Sequence, residues 1–215
     1  MLSRLKKCYR KIMRYPFKYY NRKRIRNKEL TLISKDCTGG VLLHELGIRF
    51  DTPTINACFH AGDFVKFCHD LRYYISCELK EDKENSVEMN YPVGILGDEG
   101  REIRVWFKHD YENFGHAQAK WDERKSRIHW DNIFIIMTDG KGSNEEIAHD
   151  FDSLPYEHKV LLTYRNFPGV KSAVKLDVKK LNTYGLGAPE VFAYKSLFSG
   201  KRVIDDWDYV SFFNS

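Results

Sequence analysis

The chain has 215 residues, of which 42% are apolar and 30% charged; that is enough for one well-buried core and short for two full domains. No apolar run reaches the length of a membrane span, and the N-terminal residues lack the apolar region expected of a signal peptide. The five cysteines are odd in number and contain no CxxC pair, which excludes a zinc ribbon or a disulfide framework, so a reducing, cytoplasmic setting without a bound metal is expected.

The net charge of +5 comes from one end. Residues 1–28 carry 12 of the 35 Lys and Arg and no acid, leaving 23 bases against 30 acids in the remainder. A basic arm over residues 1–29 therefore precedes an acidic body over residues 30–215, expected to be a single domain. In the arm, Leu2, Leu5, Tyr9 and Ile12 fall three or four apart, the spacing of an amphipathic helix. Pro16 is expected to interrupt it, before Phe17, Tyr19, Tyr20 and a second basic cluster ending at Arg26. Such a helix could dock on the acidic body or on a second subunit, or lie on an anionic inner leaflet. No nucleic-acid motif accompanies the basic residues, so no specific nucleic-acid partner is expected.

Residues 30–50 read as strand, loop and helix. Leu30-Thr31-Leu32-Ile33 is a short apolar run, Ser34 to Gly40 form the loop, and the helix from Val41 stops at Gly47. A loop of this kind lies at the carboxyl end of its strand, where backbone N–H groups of Thr38, Gly39 and Gly40 could hold an anion. Residues 54–59 read as a second strand. His60 and Asp63 lead into a helix with Phe64, Phe67, Cys68, Leu71, Tyr74 and Ile75 on one face, and residues 80–88 read as a charged surface excursion. Residues 92–96 and 103–107 flank Gly97-Asp98-Glu99-Gly100 as a hairpin. A helix is expected over about 112–128, carrying Trp121, Arg124 and Arg127.

The most apolar run, residues 133–137, reads as a central strand buried on both faces. It ends at Thr138-Asp139-Gly140-Lys141. Ser143 and Glu146 have capping-box spacing for the next helix. Residues 159–163 form another strand ending at Tyr164-Arg165, and residues 173–176 a weaker one. The expected fold is α/β: three layers, a mixed but mostly parallel sheet with helices on both faces, preceded by the basic helical arm.

Parallel strands would bring their carboxyl ends to one edge, and with them Asp36-Cys37, His60, Asp139 and Lys141, a composition suited to a transferase or hydrolase cleft. Cys37 at a helix start should have a lowered pKa and could act as nucleophile, with His60 or His44 as base. Asp36 could serve as general base or cap the following helix. His44 itself fits a buried, hydrogen-bonded side chain of an apolar helix. Arg124 and Arg127 could grip a diphosphate while Trp121 stacks on a base or sugar; the same spacing also suits a core Trp beside an exposed basic face.

Ser34-Lys35-Asp36-Cys37-Thr38-Gly39-Gly40, followed by Thr52-Pro53-Thr54-Ile55-Asn56, resembles the opening of an uncharacterised bacterial family whose members carry Ser-Asn-(Asn/Asp)-Cys-x-Gly-Gly. Trp121-x-x-Arg124-x-x-Arg127-Ile128-x-x-Asp131-Asn132 resembles its second signature, and Phe151-x-x-Leu154-Pro155 with Lys159-Val160 its third. Lys35 departs from the usual Asn. Members are labelled exopolysaccharide or capsular polysaccharide biosynthesis proteins, so the resemblance implies a context in surface-polysaccharide assembly. The resulting expectation is a cytoplasmic transferase moving an acyl or glycosyl group from acyl-coenzyme A or a sugar nucleotide to a sugar or lipid-linked sugar. Asp36, Cys37, His60 and Asp139 would be catalytic. Thr38, Gly39, Gly40, Trp121, Arg124, Arg127, Asp131 and Asn132 would bind substrate. The alternative is a non-catalytic scaffold of the same pathway, held peripherally at the membrane by the arm.

Overall fold

Ile133-Phe134-Ile135-Ile136-Met137 does become the central strand. The computed structural model describes residues 2–196 and 198–215. In it β1 (Thr31–Ser34), β5 (Ile133–Thr138), β6 (Lys159–Thr163) and β7 (Ala173–Lys175) form a parallel sheet in the order β1-β5-β6-β7. Strand alternation divides the core in two. Ile33, Ile135, Met137 and Leu161 face one layer, with Phe64, Trp121 and Phe151; Leu32, Phe134, Ile136, Val160 and Leu162 face the other, with Leu42, Val210 and Phe213. Both faces of the sheet are therefore covered, as a parallel sheet requires.

The hairpin forms as read, with β3 (Val93–Leu96) antiparallel to β4 (Ile103–Trp106). It joins β2 (Lys80–Glu81) in a separate three-stranded sheet instead of adding an antiparallel strand to the main one. Residues 58–59 link the sheets: Cys58 exchanges both backbone hydrogen bonds with Trp106 (2.8 and 2.9 Å), and the Phe59 amide donates to the Lys35 carbonyl (2.9 Å). The strand expected over residues 54–59 is otherwise a turn. Thr52 and Thr54 hydroxyls take up the amides of Thr54 (3.3 Å) and Ser34 (3.1 Å), and Asn56 adopts a left-handed φ of 58°, so side chains replace the ladder there.

Local hydrogen bonds reset other boundaries. The helix expected from 64 to 75 is two, α3 (Ala61–His69) and α4 (Leu71–Ser76), broken at Asp70, whose φ and ψ of −135° and 58° are not helical. The charged excursion folds into β2 and α5 (Lys83–Met89), started by Asp82 accepting from the Asn85 amide at 3.1 Å. α6 (Phe114–Lys125) begins at Asn113. α7 (Glu145–Ser153) is capped by Asn144, accepting from the Ile147 amide at 2.8 Å, so Ser143 and Glu146 form no capping box.

α2 (Thr38–Leu46) ends at Gly47, whose φ of +73° lets its amide reach the His44 and Leu43 carbonyls, a left-handed helix stop. Leu42, Leu43 and Leu46 face the core, which turns His44 outward into solvent rather than inward as expected. At the other end, a Cβ on Gly39 would stand 2.5 Å from Ser34 Cβ, so α2 approaches β1 closer than any side chain permits. Gly39→Ala is expected to destabilise by roughly 1–3 kcal/mol; urea unfolding with an unchanged midpoint would contradict that packing.

The arm is one helix, α1 (Leu2–Arg24), and runs through Pro16. Pro16 and Ile12, the residue whose carbonyl loses its partner, both face solvent, where water can satisfy that carbonyl. Side chains are described from Cys8 onward, so those of Leu2 and Leu5 in the expected stripe lie outside the described ones. α1 packs on α2 and on the C-terminal segment, which comprises α8 (Ala188–Val191), a 3-10 turn (Val203–Asp206) and α9 (Tyr209–Phe213). Buried Arg14 bonds Glu45 (2.5 Å) and Asp205 (2.5 Å), Asn21 bonds Tyr209 (2.6 Å), and Arg22 donates to the Glu45 carbonyl at the end of α2 (2.8 Å). Among the described residues no helix is long and apolar enough to cross a membrane.

Candidate active site

The carboxyl ends of β1 and β5 open onto a cavity of about 790 Å³. Its floor is Lys35-Asp36-Cys37 after β1 and Gly140-Lys141 after β5. One side is Cys58, His60, Trp106, Lys108 and His109, carried by the link between the sheets and the end of β4. The other is the segment around Tyr184 and Gly187, with Phe192 and Arg202. Two non-glycine residues with positive φ flank the first side, Asn56 (58°) and Asp110 (63°), and they hydrogen-bond each other at 2.8 Å. Asn and Asp tolerate this conformation, and the pair fixes the chain just before Cys58 and just after His109.

Cys37 sits immediately ahead of α2, and Cys58 lines the same cavity beside it. The Cys58 thiol hydrogen bond lowers the Cys37 pKa against the opposing effects of burial and Asp36, with Lys108 adding a smaller favourable charge. The same bond, burial and the Cys37 charge push Cys58 well up. Both shifts run the same way: they favour the proton on Cys58 and the thiolate, the nucleophilic form, at Cys37. His60 stacks on Trp106 with centroids 4.3 Å apart. Partial burial, and then the Lys141 charge, keep His60 below its usual pKa, hence neutral near pH 7 and able to accept a proton.

Asp36 acts as a brace. Its Oδ1 accepts from the Thr38 amide (2.8 Å) and its Oδ2 from the Thr138 hydroxyl (2.8 Å), tying the β1 loop to β5. The Gly39 amide donates to Ser34 Oγ at 3.0 Å. Two of the amides expected to hold an anion are therefore engaged by the loop's own side chains. Thr38 and Gly39 are buried, and Gly40 faces Ile55; none of the three lines the cavity. Positive charge comes from side chains instead: Lys35, Lys108, Lys141 and Arg202 line the cavity against a single carboxylate, Asp36. Arg202 is paired with Glu45 (2.7 Å), whereas Lys108 and Lys141 enter no ion pair among the described residues. Lys35 is buried, donates to the Thr138 carbonyl (3.0 Å), and has its pKa lowered by that burial against the pull of Asp36.

The remaining expected site residues lie elsewhere. Asp139 is 1% exposed and does not line the cavity; it accepts from Thr163 Oγ1 (2.8 Å) and Arg165 Nε (2.9 Å), locking the ends of β5 and β6 together. Trp121 is 1% exposed in the core between Phe67 and Phe107, which leaves no face for a ligand. Arg124 donates to Tyr111 (2.9 Å) and weakly to the Ile55 carbonyl (3.4 Å), while Arg127 pairs with Glu123. Asp131 is exposed and Asn132 bonds the Glu29 carbonyl (2.7 Å) and Asn27 (2.9 Å), at the amino end of β5, the sheet edge opposite the cavity. The structure thus brings Asp36, Cys37 and His60 together and leaves Asp139 and the second signature outside. Sequence reasoning overlooked Cys58, Trp106, Lys108, His109 and Arg202. The polar run Lys108-His109-Asp110 directly after an apolar strand was the available signal for two of them.

Fold and cavity define an α/β protein with a thiol-bearing, cationic cleft at the carboxyl edge of a parallel sheet. The chain belongs to the DUF1919 family, a domain of unknown function whose model matches residues 8–214. It is similar to an uncharacterized protein of Haemophilus influenzae, 32% identical over 213 residues that span 99% of this chain and 97% of the relative. The coarse expectation, membership of a family of uncharacterised function, therefore holds.

Proposed function

We propose that this protein is a transferase of surface-polysaccharide assembly, working in the cytoplasm, that passes an acyl group from an anionic thioester donor of the coenzyme A type to a sugar hydroxyl through Cys37. The observation that carries this reading is the Cys37–Cys58 pair opening into a cavity with two uncompensated lysines. The body over residues 29–215 has more acids than bases, so a cationic cleft in it favours an anionic ligand against the background charge. Lys108 and Lys141 would hold donor phosphates. The Cys37 thiolate would attack the donor carbonyl, the donor's C–S bond would break, and the donor would leave as a thiolate that takes a proton from water. The sugar hydroxyl would then attack the Cys37 thioester, neutral His60 would take its proton, and Cys37 would return as thiolate. A thiolate nucleophile favours acyl over glycosyl transfer here, because a thioester intermediate leaves readily. The polysaccharide setting rests on the resemblance of residues 34–40, and the cytoplasmic one on five unpaired cysteines.

Incubation with acetyl-coenzyme A followed by intact-mass analysis is expected to add one acetyl group, mapped to Cys37 and missing from Cys37→Ala. An unmodified wild type across a panel of acyl donors, or equal labelling of the variant, would overturn the proposal.

A further inference from the structure

The exposed apolar side chains of the described residues are not scattered. Of nine large hydrophobic side chains left exposed, five are on α1: Tyr9 (41%), Ile12 (64%), Tyr15 (68%), Tyr19 (56%) and Tyr20 (62%). The body does not cover them because it uses the other side of the helix. Arg14 and Ile25 are buried and Phe17 and Asn21 half-buried against it. At about 100° per residue, Ile12, Tyr15, Tyr19 and Lys23 form one outward stripe, with Lys11 and Lys18 along its edge. Tyr15 and Tyr19 stack on each other, centroids 6.4 Å apart, and Lys23 sits over the Tyr19 ring at 5.6 Å. Lys11, Lys18 and Lys23 enter no ion pair among the described residues, and residues 1–28 contain no acid.

We propose that this outward face docks the protein onto an anionic lipid surface, with Ile12 and the tyrosine rings at the headgroup boundary and the lysines against lipid phosphates. Interfacial aromatics flanked by lysines are the side-chain chemistry of that boundary, where the ring is apolar and the hydroxyl stays wet. A protein partner with an acidic groove would match the charge. It would leave five partly polar aromatic and aliphatic tips spread over one convex helix, a shape that suits a plane better than a pocket. Dimerisation through this face is disfavoured, since it would oppose two surfaces that both carry only positive charge. α1 and the cavity share one carboxylate, because Glu45 bonds both Arg14 and the cavity residue Arg202. A docked helix therefore keeps the cleft beside the bilayer. The inference is independent of the acyl-transfer reading.

Vesicle sedimentation tests it with the full chain. The protein is expected to sediment with vesicles containing phosphatidylglycerol at low salt, to stay in solution with pure phosphatidylcholine, and to be released by about 0.5 M salt. Lys11→Ala/Lys18→Ala/Lys23→Ala should lower partition about a hundredfold, at roughly fivefold for each charge. Tyr15→Ser/Tyr19→Ser should weaken it as well, and both variants should melt like wild type, because neither touches Arg14, Phe17, Asn21 or Ile25. The proposal fails if wild type stays in solution with anionic vesicles at low salt, or if the triple variant sediments like wild type. It also fails if light scattering finds a dimer that Ile12→Asp dissociates, which would make the face a contact between copies.

Discussion

Cys58→Ala is expected to slow alkylation of Cys37 at neutral pH by about tenfold, without touching the nucleophile. A hydrogen bond to a charged acceptor contributes roughly 1.5–3 kcal/mol, and the Cys58 thiol, lining the cavity beside Cys37, is placed to donate one to a Cys37 thiolate. The wild-type rate of iodoacetamide reaction, read on the Cys37 peptide, should rise through a midpoint below that of an ordinary thiol. In Cys58→Ala that midpoint moves up. The two profiles should converge at high pH, where both forms are fully ionised, and differ most at lower pH, where wild type carries the larger thiolate fraction. Cys58→Ser returns a hydroxyl donor and should restore part of the rate, which a loss of packing alone would not predict. Superimposable wild-type and Cys58→Ala profiles would show that Cys58 does not hold the thiolate, and would remove the main support for a Cys37 nucleophile.

That pair also shows where the sequence was readable. The position of Cys37 between β1 and α2 is legible because a strand, a tight loop and a helix leave a local signature in residues 30–47. Cys58 carried no such mark. Its role depends on a single bridge to Trp106 and on the Phe59 amide reaching Lys35, contacts between distant segments that no local pattern encodes. The parallel sheet is legible for the same reason as the position of Cys37: residues 133–137 are apolar throughout and so are 160–162 of the next strand, and strands buried on both faces need such runs.

The second signature was misplaced for a physical reason. Trp121, Arg124 and Arg127 have the spacing of a ligand grip on one helix, but α6 stops at Lys125, before Arg127, and spacing does not say which sheet edge a helix serves. Trp121 fills the core, Arg124 ties α6 to the turn at Ile55, and Asn132 fastens the amino end of β5 to Glu29. The third signature is framework too: Phe151 and Leu154 are buried, and Lys159 Nζ donates to the Leu154 (2.8 Å) and Tyr156 (3.0 Å) carbonyls. Of the three resembling blocks, only the first reaches the cavity. Its Lys35 is buried, donates to the Thr138 carbonyl and lies beside Gly140, which puts an amine in the cavity floor.

Arg14→Ala is expected to be the most destabilising single change in the arm, by roughly 3–5 kcal/mol. The guanidinium is 3% exposed and donates to both Glu45 oxygens, to Asp205 and to the Gly200 carbonyl. Burial alone would favour losing its proton, but the hydrogen bonds it donates to Glu45 and Asp205 outweigh this and hold the charge more firmly than in a free arginine. Removing it leaves two carboxylates, each 7% exposed, with the Arg202 guanidinium still paired to Glu45 and only the Arg202 amide donating to Asp205. A Cβ at Gly200 would collide with the Met13 carbonyl, so the chain there follows α1 too closely for a water-filled gap to open without movement. Arg14→Lys keeps the charge but cannot reproduce the planar fork, and should fall between wild type and Arg14→Ala. The exposed pair Arg24–Asp208, with side chains 33% and 52% accessible, is the control: Arg24→Ala should cost no more than about 1 kcal/mol. Thermal melts compared in one buffer separate the cases, since at this chain length each kcal/mol moves the midpoint by roughly 2–4 °C. If Arg14→Ala melts with Arg24→Ala, the buried network does not hold the arm. If it melts far below, α1 is fastened to the body through one side of the helix, and the tyrosine face is free for the bilayer.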